Sequence, residues 1–158
     1  MSVLDVKSPI AMKKVFDLRD ELLVNPRRVE KTQALTLDRA KPHLGLRGTY
    51  GLFASQDWWN SISTGRMPLL RLAGVVERLY ASGQEEVEAN TVDIRSADGR
   101  LQSAGIYLND PSDLALFRIG STVEVVYALD ELKQQPAADG GLNVTKVALE
   151  MAVSLPAR

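Results

Sequence analysis

The chain has 158 residues, of which 45% are hydrophobic, 25% charged and 6% aromatic, values typical of one globular domain with or without an appendage. It contains no cysteine, which excludes disulfides, thiolate metal sites and cysteine nucleophiles. The net charge of −1 conceals an asymmetry, because residues 1–66 carry eleven basic and seven acidic side chains (net +4), whereas residues 67–158 carry eight and thirteen (net −5).

Apolar runs in the chain are too short for a membrane-spanning helix, which needs about 20 such residues. Charged residues also interrupt the apolar stretch that a signal peptide requires near the N-terminus; these are Asp5, Lys7, Lys13 and Lys14. We therefore expect a cytoplasmic protein without a membrane partner.

The N-terminal segment is predicted to form a helix over residues 9–24. Ser8 is a typical N-cap residue, and Pro9 suits the first helical position because an N–H there would have no partner. Asn25 precedes Pro26 and so avoids helical torsion angles, which ends the helix. Apolar residues recur at mostly helical spacing: Met12, Val15, Phe16, Leu18, Leu22 and Leu23. This stripe predicts packing on the rest of the chain or on a second copy, and hence a homo-oligomer held through helix 9–24.

Residues 26–54 contain prolines and glycines that interrupt regular structure, and they predict a loop with a short helical turn around 30–40. Ser55 then caps a predicted helix over residues 56–63. This helix carries two adjacent aromatic residues, Trp58 and Trp59. Because adjacent side chains on a helix point about 100° apart, one is expected to pack inside and the other to be exposed.

The hydrophobic period then changes to the alternation that is typical of strands. Five strands are predicted, over residues 69–80, 87–95, 101–108, 122–129 and 143–155. Asp110 caps a short predicted helix over residues 111–117. The last strand alternates without a fault, which predicts a central place in the core. The chain is thus divided into an N-terminal helical and loop extension, residues 1–66, that packs on a small β-barrel, residues 67–158.

The register of the second and third predicted strands follows from burial. A three-residue loop ending at Gly99 pairs Ile94 with Gln102 and Val92 with Ala104. This register collects the apolar side chains on one face, whereas a two-residue loop would divide them between both faces. Burial therefore favours the three-residue loop.

A long first strand with a central glycine, four further strands, and a helix between the third and fourth resemble the OB-fold, a five-stranded Greek-key barrel. In that family the first strand bends sharply, so the resemblance places a bend or bulge at Gly74. Residues 117–125 are similar to the entry into a barrel strand, with a turn at Gly120. The expected fold class is α+β and mainly β: a five-stranded small β-barrel with an N-terminal helical extension.

The chain also resembles the Sm-like barrel, of the SH3 type, in which a helix precedes the first strand. Residues 72–79 are similar to the apolar pattern that this family has around a glycine. The chain departs from the family at Tyr80, where the family has Asp, and at Ile119, which separates Arg118 from Gly120. The uridine-binding residues of that family therefore have no counterparts here.

The sequence offers no recognisable catalytic or cofactor site. His43 is the only histidine, and the sequence places no nucleophile or orienting carboxylate beside it. The acidic group Glu85, Glu86 and Glu88 lacks the alternating spacing of a calcium loop. We therefore expect a protein that is not an enzyme and that uses neither a metal nor a cofactor.

Basic residues are concentrated in the N-terminal part, where aromatic residues follow them. Single-stranded nucleic acid binds to positive grooves that carry aromatic platforms. We therefore predict a non-enzymatic protein that binds single-stranded DNA or RNA, or that belongs to a nucleic-acid-handling assembly. The residues predicted to bind are Arg47, Tyr50, Trp59, Arg71, Arg78 and Tyr80. The alternative is a protein–protein interaction or oligomerisation module, whose binding would depend less on salt.

Overall fold

The computed structural model describes residue 4 and residues 10–83, 88–134 and 140–156. As predicted, these residues form an α+β fold that is mainly β. The strands are β1 (Met12–Asp17), β2 (Leu69–Tyr80), β3 (Thr91–Arg95), β4 (Leu101–Gly105), β5 (Thr122–Glu131) and β6 (Val144–Ser154). The helices are α1 (Leu18–Val24), α2 (Pro26–Leu37), α3 (Gln56–Ser63) and a 3₁₀ helix (Pro111–Leu116).

Within the described residues, the six strands form one open sheet in the order β1-β6-β5-β2-β3-β4. The pairs β1–β6, β2–β3 and β3–β4 are antiparallel. Because β1 and β4 are edges that do not pair with each other, the sheet is not closed, and the predicted five-stranded barrel is wrong. The additional strand comes from the N-terminal segment, which the sequence pattern had assigned to a helix.

The predicted helix over residues 9–24 is therefore wrong over its first part. β1 pairs with the last strand, from Met12 opposite Ser154 to Asp17 opposite Glu150, and only Leu18–Val24 is helical. The apolar spacing of this segment is mostly helical, and pairing with β6 overrides it. A bulge between Lys14 and Phe16 offsets the register of β1 and β6.

Backbone groups of β1 also form hydrogen bonds with Asn109, in the segment that follows β4. Asn109 N donates to the Val15 carbonyl (2.9 Å). The Asn109 side chain accepts from Asp17 N (2.7 Å) and donates to the Asp17 carbonyl (3.1 Å). A buried carboxylate also holds β1 to β6, because Lys14 Nζ lies 2.8 Å from Glu150 Oε1, and Glu150 is only 2% exposed.

Pro26 ends one helix and begins another. α1 stops at Val24, as the Asn25-Pro26 pair predicts, but α2 starts at Pro26 and continues for twelve residues. Proline suits the first position of a helix, and the sequence interpretation had treated it only as a terminator. The predicted short turn around 30–40 is therefore part of a full helix.

The predicted caps of the two shorter helices are confirmed. The Ser55 side chain accepts from Trp58 N at the start of α3. The Asp110 side chain accepts from Ser112 N at the start of the 3₁₀ helix. Two other features named from the sequence lie outside the described residues: the helix start at Ser8-Pro9 and most of the acidic group at Glu85.

The predicted register of the β3–β4 hairpin is confirmed, with Ile94 opposite Gln102 and Val92 opposite Ala104. β2 covers the predicted residues, and its register with β3 shifts between Val76 and Arg78. The predicted bend at Gly74 stays a prediction, but the position requires glycine for another reason. A Cβ atom there would lie 2.5 Å from the Arg95 carbonyl oxygen, so the close approach of β3 requires glycine.

The chain divides into two compact units. Unit 1 comprises the described residues of Met1–Asp20, Arg71–Val126 and Ala148–Arg158, and unit 2 those of Glu21–Leu70 and Tyr127–Val147. The predicted boundary between an extension and a barrel at residue 66 stays a prediction. No helix among the described residues has the length and apolarity that crossing a membrane requires.

Each unit has its own buried apolar residues. In unit 1 they include Val15, Val76, Ile94, Val123 and Met151, and in unit 2 Phe53, Trp58, Ile62, Met67 and Ala128. In β6 the seven residues from Val147 to Val153 are all buried, which is why this strand lies between β1 and β5 and not at an edge.

Candidate functional site

The segment between the 3₁₀ helix and β5, in unit 1, forms a tight turn with a fixed backbone. Ser121 N donates to the Arg118 carbonyl (2.9 Å), and Arg118 N donates to Ser121 Oγ (3.1 Å). The Ser121 hydroxyl in turn donates to the Leu116 carbonyl (3.2 Å). Gly120 has a φ of +95°, which side-chain-bearing residues rarely adopt. The turn predicted at Gly120 is thus confirmed, and glycine is required there.

This turn also forms hydrogen bonds with two strands. Gly120 N donates to the Val76 carbonyl, and Val76 N donates to the Ser121 carbonyl, both over 2.8 Å. Thr122 N donates to Ser154 Oγ over 2.9 Å. Since Val76 lies on β2 and Ser154 ends β6, the side chains that the turn exposes are held on a rigid base.

A pocket of about 410 Å³ lies beside this turn. Its lining residues come from three segments: Ile10, Leu116, Arg118, Ile119, Gly120, Ser121, Thr122, Ser154, Leu155 and Pro156. Three large aliphatic side chains of the lining are strongly exposed, namely Ile119 (73%), Ile10 (46%) and Leu155 (45%). Such exposure is unusual for a cluster of aliphatic residues and is typical of a surface that binds another molecule.

Arg118 is the one charged residue among these described lining residues. Its side chain is exposed and takes part in no ion pair within the described part of the chain. The described lining residues include no carboxylate and no imidazole. What the pocket offers chemically is an apolar surface next to a single positive charge. We call this pocket and its turn the Arg118 surface.

Unit 2 contains a different polar arrangement, which is buried. Trp58 is fully buried, and its Nε1 donates to Asp130 Oδ2 over 2.9 Å. Burial raises the pKa of the Asp130 carboxyl, although the Trp58 bond and the bond from Glu131 N oppose that rise. The edge of the Trp58 ring also faces Phe53, at 5.1 Å between centroids. These contacts hold α3 against β5.

Tyr50 belongs to the same surroundings. Burial, followed by the nearby carboxylates of Glu131 and Asp130, raises the pKa of its hydroxyl. The Arg66 guanidinium lies 5.9 Å from the centre of the Tyr50 ring, and Ser61 Oγ donates to the Tyr50 carbonyl (3.0 Å). Tyr50 is thus engaged in the packing of unit 2.

The residues predicted to bind from sequence are divided between the two units. Of those in unit 2, Arg47 is exposed, and its N–H donates to the Glu131 carbonyl (2.9 Å). Trp59 is half-buried, with its ring edge-on to Trp58 at 4.8 Å between centroids. Trp58 packs inside as expected, but Trp59 is half-buried, so the expectation that the second tryptophan is exposed is wrong.

In unit 1, Arg71 is exposed on β2. The structure brings together Arg78 and Tyr80, because the guanidinium lies 4.4 Å from the ring centre. The Tyr80 hydroxyl donates to Asp93 Oδ1 over 2.9 Å. The aromatic face and the hydroxyl of Tyr80 are thus already occupied by neighbours within the chain.

A protein-family model matches residues 12–154 of the chain, and its description is immunity protein RhsI2. The chain belongs to the RhsI2 immunity protein family. No curated protein matches the chain.

Membership of the RhsI2 family corrects three predictions from the sequence. The resemblance to the OB-fold and Sm-like superfamilies is wrong, because the matching family is a different one. The predicted function in binding single-stranded nucleic acid is wrong, since the family consists of immunity proteins. Single-stranded DNA or RNA as the partner is wrong for the same reason.

Sequence analysis of this RhsI2-family chain missed the Arg118 surface. Residues 117–125 were noticed only for the turn at Gly120. In the sequence, Ile119 is one aliphatic residue before a glycine, and nothing shows that it is exposed. The available signal was the Arg-Ile-Gly-Ser order itself, because a glycine and a serine after two large side chains favour a turn that presents them to solvent.

Proposed function

We propose that this RhsI2-family chain is a non-catalytic immunity protein that binds a cognate toxin protein and so neutralises it. The observation that carries the proposal is the family match over residues 12–154. Protein–protein interaction, the alternative from the sequence, agrees with it. The Arg118 surface supports it further, because exposed aliphatic side chains beside an arginine are typical of protein interfaces.

Neutralisation of a toxin is tested by expressing the toxin in bacteria with and without this chain. The toxin used is the one against which members of the RhsI2 family give immunity. We expect growth to be restored when both are made, and the purified proteins to form a stable complex. Continued growth arrest in cells that contain the folded chain would contradict the proposal.

Binding is distinguished from catalysis by a titration. A binding inhibitor abolishes toxin activity at a fixed molar ratio, because each molecule occupies one toxin. An enzyme that modifies or degrades the toxin would protect at far lower ratios, with an effect that grows over time. We therefore expect a sharp end point at a fixed ratio that does not change with the length of incubation.

A further inference from the structure

We infer that the Arg118 surface is where the toxin docks, and that the docking segment carries an apolar side chain next to a carboxylate. This inference rests on the proposed function and adds the place and chemistry of the contact. It follows from two properties of the surface: its exposed aliphatic side chains, and an arginine that forms no ion pair with any residue the structure describes.

The aliphatic side chains come from three segments of unit 1, namely the segment before β1, the turn before β5 and the segment after β6. Leu155 is held in place because its N–H donates to the Ala11 carbonyl over 2.9 Å. Ile119 lies on the hydrogen-bonded turn. A partner that covers these side chains removes apolar area from water, and it pays little to order them because their backbone is already fixed.

The charge of Arg118 indicates what else the partner supplies. Elsewhere in unit 1, Arg95 forms two bonds with Glu77, over 2.7 and 3.0 Å, as guanidinium groups prefer with carboxylates. Arg118 has no such carboxylate among the described residues, and the pocket lining provides none. A toxin segment that buries Arg118 therefore has to bring its own Asp or Glu, since a buried unpaired guanidinium is costly.

The test compares two double variants in the full chain. Arg118→Glu with Ile119→Ser removes both properties of the surface. Arg100→Glu with Leu101→Ser is the matched control, because it changes the same residue types at an exposed hairpin in unit 1, where Leu101 is 51% exposed. Binding of each to the purified toxin is measured by titration calorimetry, and protection is measured by growth.

We expect the Arg118 and Ile119 double variant to bind about 100-fold or more weakly than the wild type, and the control to stay within about 3-fold. Arg118→Lys should keep part of the affinity, because its charge remains without the bidentate geometry. Both double variants should unfold at nearly the wild-type temperature, since the replaced side chains are exposed.

Each other outcome overturns the inference in a distinguishable way. If the wild type neither binds nor protects, the proposed function fails and the docking site fails with it. If the wild type and the Arg118 and Ile119 double variant bind equally, the function stands and the toxin docks elsewhere. If sedimentation shows a dimer of the wild type that this double variant loses, the occupant is a second copy and not the toxin.

Discussion

The cluster around Trp58 and the turn at Arg118 both place a charged group beside apolar side chains, but only the cluster buries them. In the cluster, the indole N–H and the Asp130 carboxylate satisfy each other inside the protein. In the turn, the backbone is satisfied by internal hydrogen bonds, whereas the Arg118 and Ile119 side chains are left to solvent. The comparison separates side chains whose polar groups find partners inside the protein, which stabilise the fold, from side chains that a fixed backbone leaves exposed, which are the candidates for binding.

The largest effect on stability is expected from Trp58→Ala. Trp58 is fully buried, so its loss leaves a cavity and removes a donor from Asp130. The free energy of unfolding should fall by about 3–5 kcal/mol. Trp59→Ala is the matched control and should cost less, because Trp59 is only half-buried. Equal losses in chemical denaturation would contradict the assignment of Trp58 to the stabilising cluster.

Met151→Ala tests the core of unit 1, which carries the Arg118 surface. Met151 is fully buried in β6, and its sulfur accepts from Tyr107 N over 3.5 Å. We expect a loss of roughly 2–5 kcal/mol in the free energy of unfolding. Leu155→Ala, at a side chain 45% exposed on the Arg118 surface, should change it by less than about 1 kcal/mol. A thermal melt that Met151→Ala leaves unchanged would show that β6 is not central to the core.

Lys14→Ala tests a partly exposed side chain that pairs with a buried carboxylate. Burial alone would lower the pKa of Lys14, but hydrogen bonds to Glu150 and Asp17 outweigh it and raise the pKa. Without Lys14, the buried Glu150 carboxylate loses a partner, and we expect a loss of about 1–3 kcal/mol in urea denaturation. Lys13→Ala, at an ion pair with 47% of the lysine side chain exposed, should cost less than about 1 kcal/mol. The reverse order would contradict this account.

Asp130→Asn tests how much the burial of an ionised carboxylate destabilises the Trp58 cluster. The raised pKa of Asp130 means that the folded state binds its proton more tightly than the unfolded state does. The free energy of unfolding of the wild type should therefore fall as the pH rises through the interval between the unfolded and the folded pKa. Above that interval it stays at the lower value. Asn keeps an acceptor for Trp58 and does not titrate. The stability of the variant relative to the wild type should thus increase from about pH 3 to about pH 7; a constant difference would contradict the raised pKa.

The smallest effect on stability is expected from Ile119→Ser. The side chain is 73% exposed, and the hydrogen bonds of the turn involve backbone groups and Ser121. The free energy of unfolding should change by no more than about 0.5 kcal/mol. A clear destabilisation in the same denaturation assay would show that Ile119 stabilises the fold. The turn at Arg118 would then not differ from the Trp58 cluster in this respect.

Local chemistry explains which parts of the fold could be predicted from the sequence. The Ser55 and Asp110 caps depend on residues within one turn, and they were predicted correctly. The β3–β4 register depends on a short loop and on alternation, and it was also correct. β1 could not be predicted in this way, because its partner β6 lies more than a hundred residues away in the chain. A mostly helical apolar pattern is overridden by such a partner.

The candidate site was missed for a related reason. Ile10, Ile119 and Leu155 are far apart in the sequence, and only the fold brings them to one pocket. The residues chosen instead, such as Tyr50 and Tyr80, were selected by type. In the structure their side chains interact within the chain, Tyr50 with Arg66 and Tyr80 with Arg78. Residue type therefore indicates what a side chain can bind, and the fold determines whether it is available.

The pairing of the first strand with the last has a consequence for how the protein is made. Met12 pairs with Ser154, so 142 residues are synthesised after Met12 before its partner exists. At roughly 5–20 residues per second, a ribosome takes about 7–28 s to add them. During that time Val15 and Phe16, which the finished fold buries, have no strand to pair with. The nascent chain therefore cannot complete its sheet until the residues of β6 have been added, however early the rest of the sheet forms.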